Sequence, residues 1–350
     1  MKKHNFGAGP GILPETVLQQ AAAAVLNFNN TGLSILEISH RSKEFEAVME
    51  HARALVKELL NVPEGYEVLF LHGGASTQFA MVPWNLLKTK AAYVETGVWA
   101  SKAIKEAKML GEVNIVASSA DKNFSYIPKG YEIPTDIDYL HITSNNTIYG
   151  SEMHAFPECP VPLVCDMSSD IFSRPVDVSK FGLIYAGAQK NMGPAGATLV
   201  IVKKELLGKT GRKISSMLDY QVHIDGESMY NTPPAYAVFV CMLTLEWLKN
   251  LGGVNAIDKL NQEKADYFYN ALDRMPAFKG TIAKEDRSRM NACFLINDSS
   301  KEEAFLQKAK EAGIVGIKGH RLSGGFRASL YNALPLESVK VLVGVMETMC

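Results

Sequence analysis

The chain has 350 residues, 47% of them hydrophobic and 21% charged, with a formal net charge of −1. That balance excludes wholesale disorder and leaves no global positive field to hold nucleic acid or an anionic membrane, so an anionic ligand has to be held by local arginines. The length suits roughly two domains of about 150 residues each.

Pro14 sits where the first turn of a helix accepts proline, and the alanine-rich stretch 15–27 follows it. Phe45, Val48, Met49, Ala52, Leu55, Val56, Leu59 and Leu60 recur at spacings of three and four until Pro63 stops them, which predicts a second helix. Residues 66–71 read as a strand leading through a glycine turn into a helix from about residue 77. A strand at 91–95, a helix at 99–110, and buried strands at 113–117, 139–143, 162–165, 183–186 and 198–202 come next. Two helical patterns fill 233–275, broken at Gly252-Gly253. The chain closes with a strand at 292–296, a helix from 301, a strand at 325–331 and a helix from 336. Short strands separated by helices predict an α/β fold with a mostly parallel sheet covered on both faces. A large domain over 1–255, including an N-terminal arm, and a smaller α+β domain over 256–350 are expected.

The five cysteines, at 159, 165, 241, 293 and 350, contain no CxxC pair, so neither a disulfide framework nor a metal site is expected. The opening residues lack the apolar stretch of a signal peptide. The longest apolar run, 235–245, is well short of the roughly 20 residues that span a bilayer. A soluble, cytoplasmic chain is the expectation. Gly208-Lys209-Thr210 imitates the end of a phosphate-binding loop, but the required first glycine falls on Lys203. Gly7-Ala8-Gly9 imitates a dinucleotide fingerprint, yet position 12 is Ile and no strand precedes it.

Three segments carry chemistry. In Tyr185-Ala-Gly-Ala-Gln189-Lys190-Asn191-Met-Gly193 a buried-looking strand runs into a lysine enclosed by small residues. A planar ring can approach such a turn closely, and partial burial lowers an amine's pKa toward nucleophilic range. Taken alone, Lys190 also reads as an exposed turn lysine. Asp166 ends an apolar strand 24 positions earlier, and ligands in open α/β sheets sit at the carboxyl ends of strands. An aspartate beside a Schiff-base lysine is the pairing pyridoxal phosphate requires, although a cap or turn role is commoner for a single aspartate. Leu71-His72-Gly73-Gly74-Ala75-Ser76-Thr77 follows a strand and opens a helix, whose free N–H groups suit a phosphate. Trp99 offers a flat face for stacking, or else a core tryptophan. Arg41, Arg321 and Arg327, with His40 and His320, stand in turns or beside glycines and suit a substrate with more than one anionic group.

Ser39-His-Arg-Ser42, His72-Gly-Gly-Ala-Ser76, Ala186-Gly-Ala-Gln-Lys190-Asn, Asn231-Thr-Pro-Pro-Ala235 and Lys318-Gly-His-Arg321 together resemble the phosphoserine aminotransferases, a family of class V pyridoxal-phosphate-dependent enzymes. The resemblance extends over essentially the whole chain. It implies an aspartate-aminotransferase-like fold and a homodimer with shared active sites. It also implies amino-group transfer between glutamate and 3-phosphohydroxypyruvate in serine biosynthesis, with a phosphorylated four-carbon keto acid of vitamin B6 synthesis as a second substrate. By the same resemblance Lys190 forms the Schiff base, Asp166 partners the pyridine nitrogen and Trp99 stacks on the ring. Ala75, Ser76 and Gln189 hold the cofactor phosphate, with Asn231 and Thr232 reaching over from the second subunit. Thr147 faces the ring hydroxyl, and His40, Arg41, His320, Arg321 and Arg327 grip the substrate. Two positions depart from the family's pattern: Ser76 stands where some relatives carry arginine, and Ala8 where others carry serine.

Three other readings compete. A cysteine desulfurase needs a mobile nucleophilic thiol, for which only Cys159 qualifies. Another glyoxylate-type transaminase would share the cofactor site. A non-catalytic cofactor-binding regulator of this fold would carry an added DNA-binding domain, for which the chain leaves no room.

Overall fold

The computed structural model describes residues 3–350, so the first two residues of the expected N-terminal arm lie outside the described residues. The chain begins β1 (His4–Asn5), α1 (Glu15–Leu26), α2 (Lys43–Leu59), β2 (Tyr66–Leu71), α3 (Gly74–Leu86), β3 (Lys90–Glu95) and α4 (Val98–Ala107). There follow β4 (Glu112–Ser118), β5 (Leu140–Thr143), β6 (Leu163–Asp166), β7 (Leu183–Gly187), β8 (Thr198–Lys203), α5 (Tyr220–Asp225), α6 (Ala235–Asn250) and α7 (Gly253–Arg274). The remainder is β9 (Phe278–Gly280), β10 (Asn291–Ile296), α8 (Glu302–Glu311), β11 (Ile314–Val315), β12 (Phe326–Ser329) and α9 (Leu336–Glu347).

Seven strands form the main sheet in the order β2-β8-β7-β6-β5-β3-β4. Only β8 runs against its neighbours; the other pairs are parallel, as the alternation of short strands and helices predicts. Strand residues alternate between two cores because side chains alternate across a pleat. Leu163 and Cys165 pack beneath α1, α2 and α6, whereas Val164, Leu183 and Tyr185 pack beneath α3 and α4. With both faces covered, every residue of β6 is buried. The parallel strands end on one edge, at Leu71, Glu95, Thr143, Asp166 and Gly187, and that edge carries the site.

Helix α3 begins at Gly74, three residues before the expected start, because Gly73 at φ 92° turns the chain directly into its first turn. Helix α4 ends at Ala107, short of the expected 110. No single helix among the described residues is long and apolar enough to cross a membrane.

A second, smaller sheet has the order β12-β10-β9, antiparallel throughout, and packs with α8, α9 and the end of α7. Strand β1 pairs in parallel with β11, and Phe6 is buried in this smaller core. The N-terminal arm, expected with 1–255, thus packs with the C-terminal part. Position 255 falls inside α7, whose Val254 and Ile257 fill the large core while Phe268, Ala271 and Leu272 fill the small one.

Candidate active site

Strand β7 ends at Gly187, whose N–H donates to Ser168 Oγ at 3.1 Å, and the next turn presents Lys190. Lys190 Nζ donates to Thr147 Oγ1 at 2.7 Å. Burial pulls the Lys190 pKa down to about 8; Asp166 opposes that shift and Arg327 adds to it. The N-terminal arm lies against this turn, with Gly11 N donating to Gln189 O at 2.7 Å. A side chain at Gly11 would put its Cβ 2.9 Å from both Lys190 O and the Tyr331 ring.

Asp166 closes β6 opposite Thr143 of β5 and accepts from Ser168 N at 2.9 Å. Burial raises its pKa, against Ser168 and Lys190. On β12 of the small sheet, Arg327 sends Nη1 to Thr147 O at 3.1 Å. Thr147 therefore takes a donor from each of the two cations, one on its hydroxyl and one on its carbonyl. At the opposite end, the first turn of α3 presents Gly74, Ala75 and Ser76 with the free N–H groups of a helix start. Trp99, in the first turn of α4, has Lys102 Nζ over its ring at 4.6 Å from the centroid.

These groups line one cavity of about 390 Å³. Ala75, Ser76, Trp99, Thr147, Asp166, Gln189, Lys190, His320 and Arg327 are brought together there, from seven separate parts of the chain. Thr143 Oγ1, Trp99 Nε1 and Arg327 Nε line it too, each buried without a hydrogen-bond partner among the described residues.

Five expected residues stand outside this chain's own cavity. Arg41 is exposed, and His40 Nε2 is buried without a partner. Thr232 O accepts from His72 Nε2 at 2.9 Å, with Asn231 beside it. Arg321 is exposed in the turn closed by Gly319 N to Gly325 O at 2.8 Å. Conversely, Gly9, Thr143, Asn145, Ile148 and Ser168 line the cavity without a role expected from the sequence, and Ala8, marked by its departure from the family's serine, lines it too. Thr143 ends a strand that the sequence predicts; Gly9 has only the Gly7-Ala8-Gly9 pattern to mark it, whereas Ala8 is also marked by the family resemblance.

Behind the cavity lies a buried polar seam. Asn191 Oδ1 accepts from Asn332 N at 3.0 Å, and Asn191 Nδ2 donates to Ser169 O at 3.3 Å. Asn332 also accepts from Asn261 of α7 at 2.9 Å and donates to Phe172 O at 2.9 Å. Asn145 joins Ser169 and Asn291 at 2.8 Å each, and Tyr331 OH reaches Ala8 O at 2.7 Å. The lysine turn, the Thr147 loop and the Arg327 strand are thereby tied to one another and to α7.

Residues 4–342 match the family model Aminotransferase class-V. A phosphoserine aminotransferase of Flavobacterium psychrophilum is 62% identical over 350 residues, covering 99% of this chain and 98% of the relative. The solved phosphoserine aminotransferase of Bacillus circulans subsp. alkalophilus superposes with a TM-score of 0.96 at 45% identity, over 99% of this chain and 98% of that one. The PLP-bound phosphoserine aminotransferase of Trichomonas vaginalis does so with a TM-score of 0.93 at 37% identity, over 99% and 100%.

Proposed function

The chain belongs to the class V aminotransferases and, within them, to the phosphoserine aminotransferase group; from that premise we propose that it uses pyridoxal phosphate to transfer an amino group between L-glutamate and 3-phosphohydroxypyruvate. The products are 2-oxoglutarate and O-phospho-L-serine, and the setting is serine biosynthesis in the cytoplasm. The observation that carries the reading is the convergence of Lys190, Thr147, Asp166 and Arg327 on one cavity.

The residues present fit the cofactor. Asp166 is a buried carboxylate with one backbone donor and room for a protonated ring nitrogen, and the α3 start is a neutral cup for a phosphate. When bound, the cofactor supplies an electron sink for a carbanion at the substrate's α-carbon. Lys190 anchors it, and its amine, once released, carries the proton to and from that carbon. Asp166 keeps the ring nitrogen charged, Trp99 covers the ring face, and Thr147 orients Lys190 and the ring hydroxyl. Ala75, Ser76 and Gln189 hold the phosphate. Arg327 grips the substrate carboxylate, while His320, Arg321, His40 and Arg41 receive the distal group.

A homodimer completes this site, with Asn231 and Thr232 of the partner subunit added to the phosphate cup. Leu26 and Leu36, 84% and 62% exposed, support that interface. The same cationic mouth suits the phosphorylated four-carbon keto acid of vitamin B6 synthesis.

Absorption spectra of the purified protein before and after phosphoserine test the reading. A visible band that phosphoserine converts to a near-ultraviolet one is expected. No visible band even after added pyridoxal phosphate would overturn it.

A further inference from the structure

Lys102 stands on α4 three residues after Trp99, with its ammonium over the indole at 4.6 Å from the ring centroid. It is exposed and has no carboxylate at ion-pair distance among the described residues. The aromatic face holds the long side chain in one place, so less rotamer freedom is lost when its charge engages a ligand. Burial first, then Arg327, Arg321 and Lys102, lower the proton affinity of His320, which sets these cations within electrostatic range of a histidine that lines the cavity.

Resting on the amino-transfer reading above, we propose that Lys102 is a specificity-determining residue that receives the distal phosphate of the substrate at the cavity mouth. Arg327 is bonded to Thr147, which also holds Lys190, so a carboxylate on Arg327 brings the α-carbon to the reacting amine. The second anionic group then points outward, where Lys102, His320 and Arg321 stand. Ser76 contributes no charge from the cup. A dianion at the mouth needs more than one cation, and Lys102 is a preordered one on the same chain. L-Glutamate places a singly charged carboxylate there and depends on Lys102 less.

The test is Lys102→Met, which keeps an unbranched apolar stem on the indole and removes only the charge, beside Lys102→Arg. For Lys102→Met, kcat/KM for O-phosphoserine is expected to fall about tenfold or more and that for glutamate less than about twofold. Inorganic phosphate, titrated into the holoenzyme and followed by tryptophan fluorescence, should bind more weakly by a similar factor, and Lys102→Arg should recover most of both losses. Equal losses on the two substrates would overturn the proposal in favour of a role in Trp99 stacking, and no loss on either would overturn it outright. Wild-type enzyme that does not turn over O-phosphoserine would instead overturn the amino-transfer reading itself.

Discussion

Thr147 is bonded to Lys190 through its hydroxyl, at 2.7 Å, and to Arg327 through its carbonyl, at 3.1 Å. One residue in the loop after β5 thus registers the amine proposed to react against the cation proposed to take the substrate carboxylate. A 1 Å error between those two groups is expensive, because in the proposed transfer the amine has to reach the proton on the α-carbon.

The first prediction concerns that amine. With its pKa near 8, Lys190 is a neutral nucleophile over far more of the working range than an ordinary lysine near 10.4. Stopped-flow capture of pyridoxal phosphate by the cofactor-free protein should speed up about tenfold per pH unit below about 8 and level off above it. Continued rise to pH 10 would show an ordinary lysine. Lys190→Ala should lose the visible band and nearly all activity together.

Asp166→Asn should leave cofactor binding largely intact, because the amide keeps the shape and the contact with Ser168. On its proposed role the substitution removes the charge that would hold a proton on the ring nitrogen, so kcat should drop by about a hundredfold, the scale of losing one preorganised charge contact. Single-turnover kinetics with glutamate, alongside cofactor titration, separate the two effects. A wild-type kcat would remove Asp166 from the mechanism.

A third prediction is thermodynamic. Asn191 accepts from Asn332 N and donates to Ser169 O, with both asparagines buried. Asn191→Ala leaves those groups unpaired and should cost about 1–3 kcal/mol of stability by urea unfolding.

Lys264 gives a prediction with a definite sign. It is buried, donates to Leu330 O and Tyr331 O at 2.8 Å each, and burial takes its pKa to about 7. The unfolded chain holds that proton up to about pH 10, so between these values the unfolded state binds more protons and folding strengthens as pH rises. Lys264→Met should flatten this rise relative to wild type between pH 7 and 9. A parallel dependence in the two proteins would refute it.

Much of the fold was legible because periodicity survives in single sequences. The alternation of short apolar strands with helical patterns located the main sheet, and three of its strand ends delivered Asp166, Lys190 and the cup. The elements that escaped are too short to show a period: β1 and β11 have two residues each, and β9 has three. The pairing of β1 with β11 across almost the whole chain is what carries Ala8 and Gly9 to the cavity, so no local periodicity announces those residues. Ser168 and Asn145 escaped for another reason: they flank residues that drew attention, but their value lies in hydrogen bonds made in three dimensions. Asn231 and Thr232 come from the family resemblance alone, and His40, Arg41 and Arg321 from cationic turns that the resemblance assigns to the substrate; the cavity of a single chain includes none of the five.

The pairing of β1 with β11 also orders events during synthesis. His4 and Asn5 emerge early, yet their partners Ile314 and Val315 are added only after the main sheet and α7 have been made. Until then Phe6 has no core to enter, and Ala8 has no Tyr331 beneath it. Long sequence separation of this kind slows the closing step of folding. Pulse-labelled hydrogen exchange during refolding should find the amides of His4 and Phe6 protected after those of β6 and β7. A nascent chain would therefore hold a finished sheet while its catalytic pocket still lacked one wall, and the competence to bind substrate would arrive with the last residues rather than with the lysine.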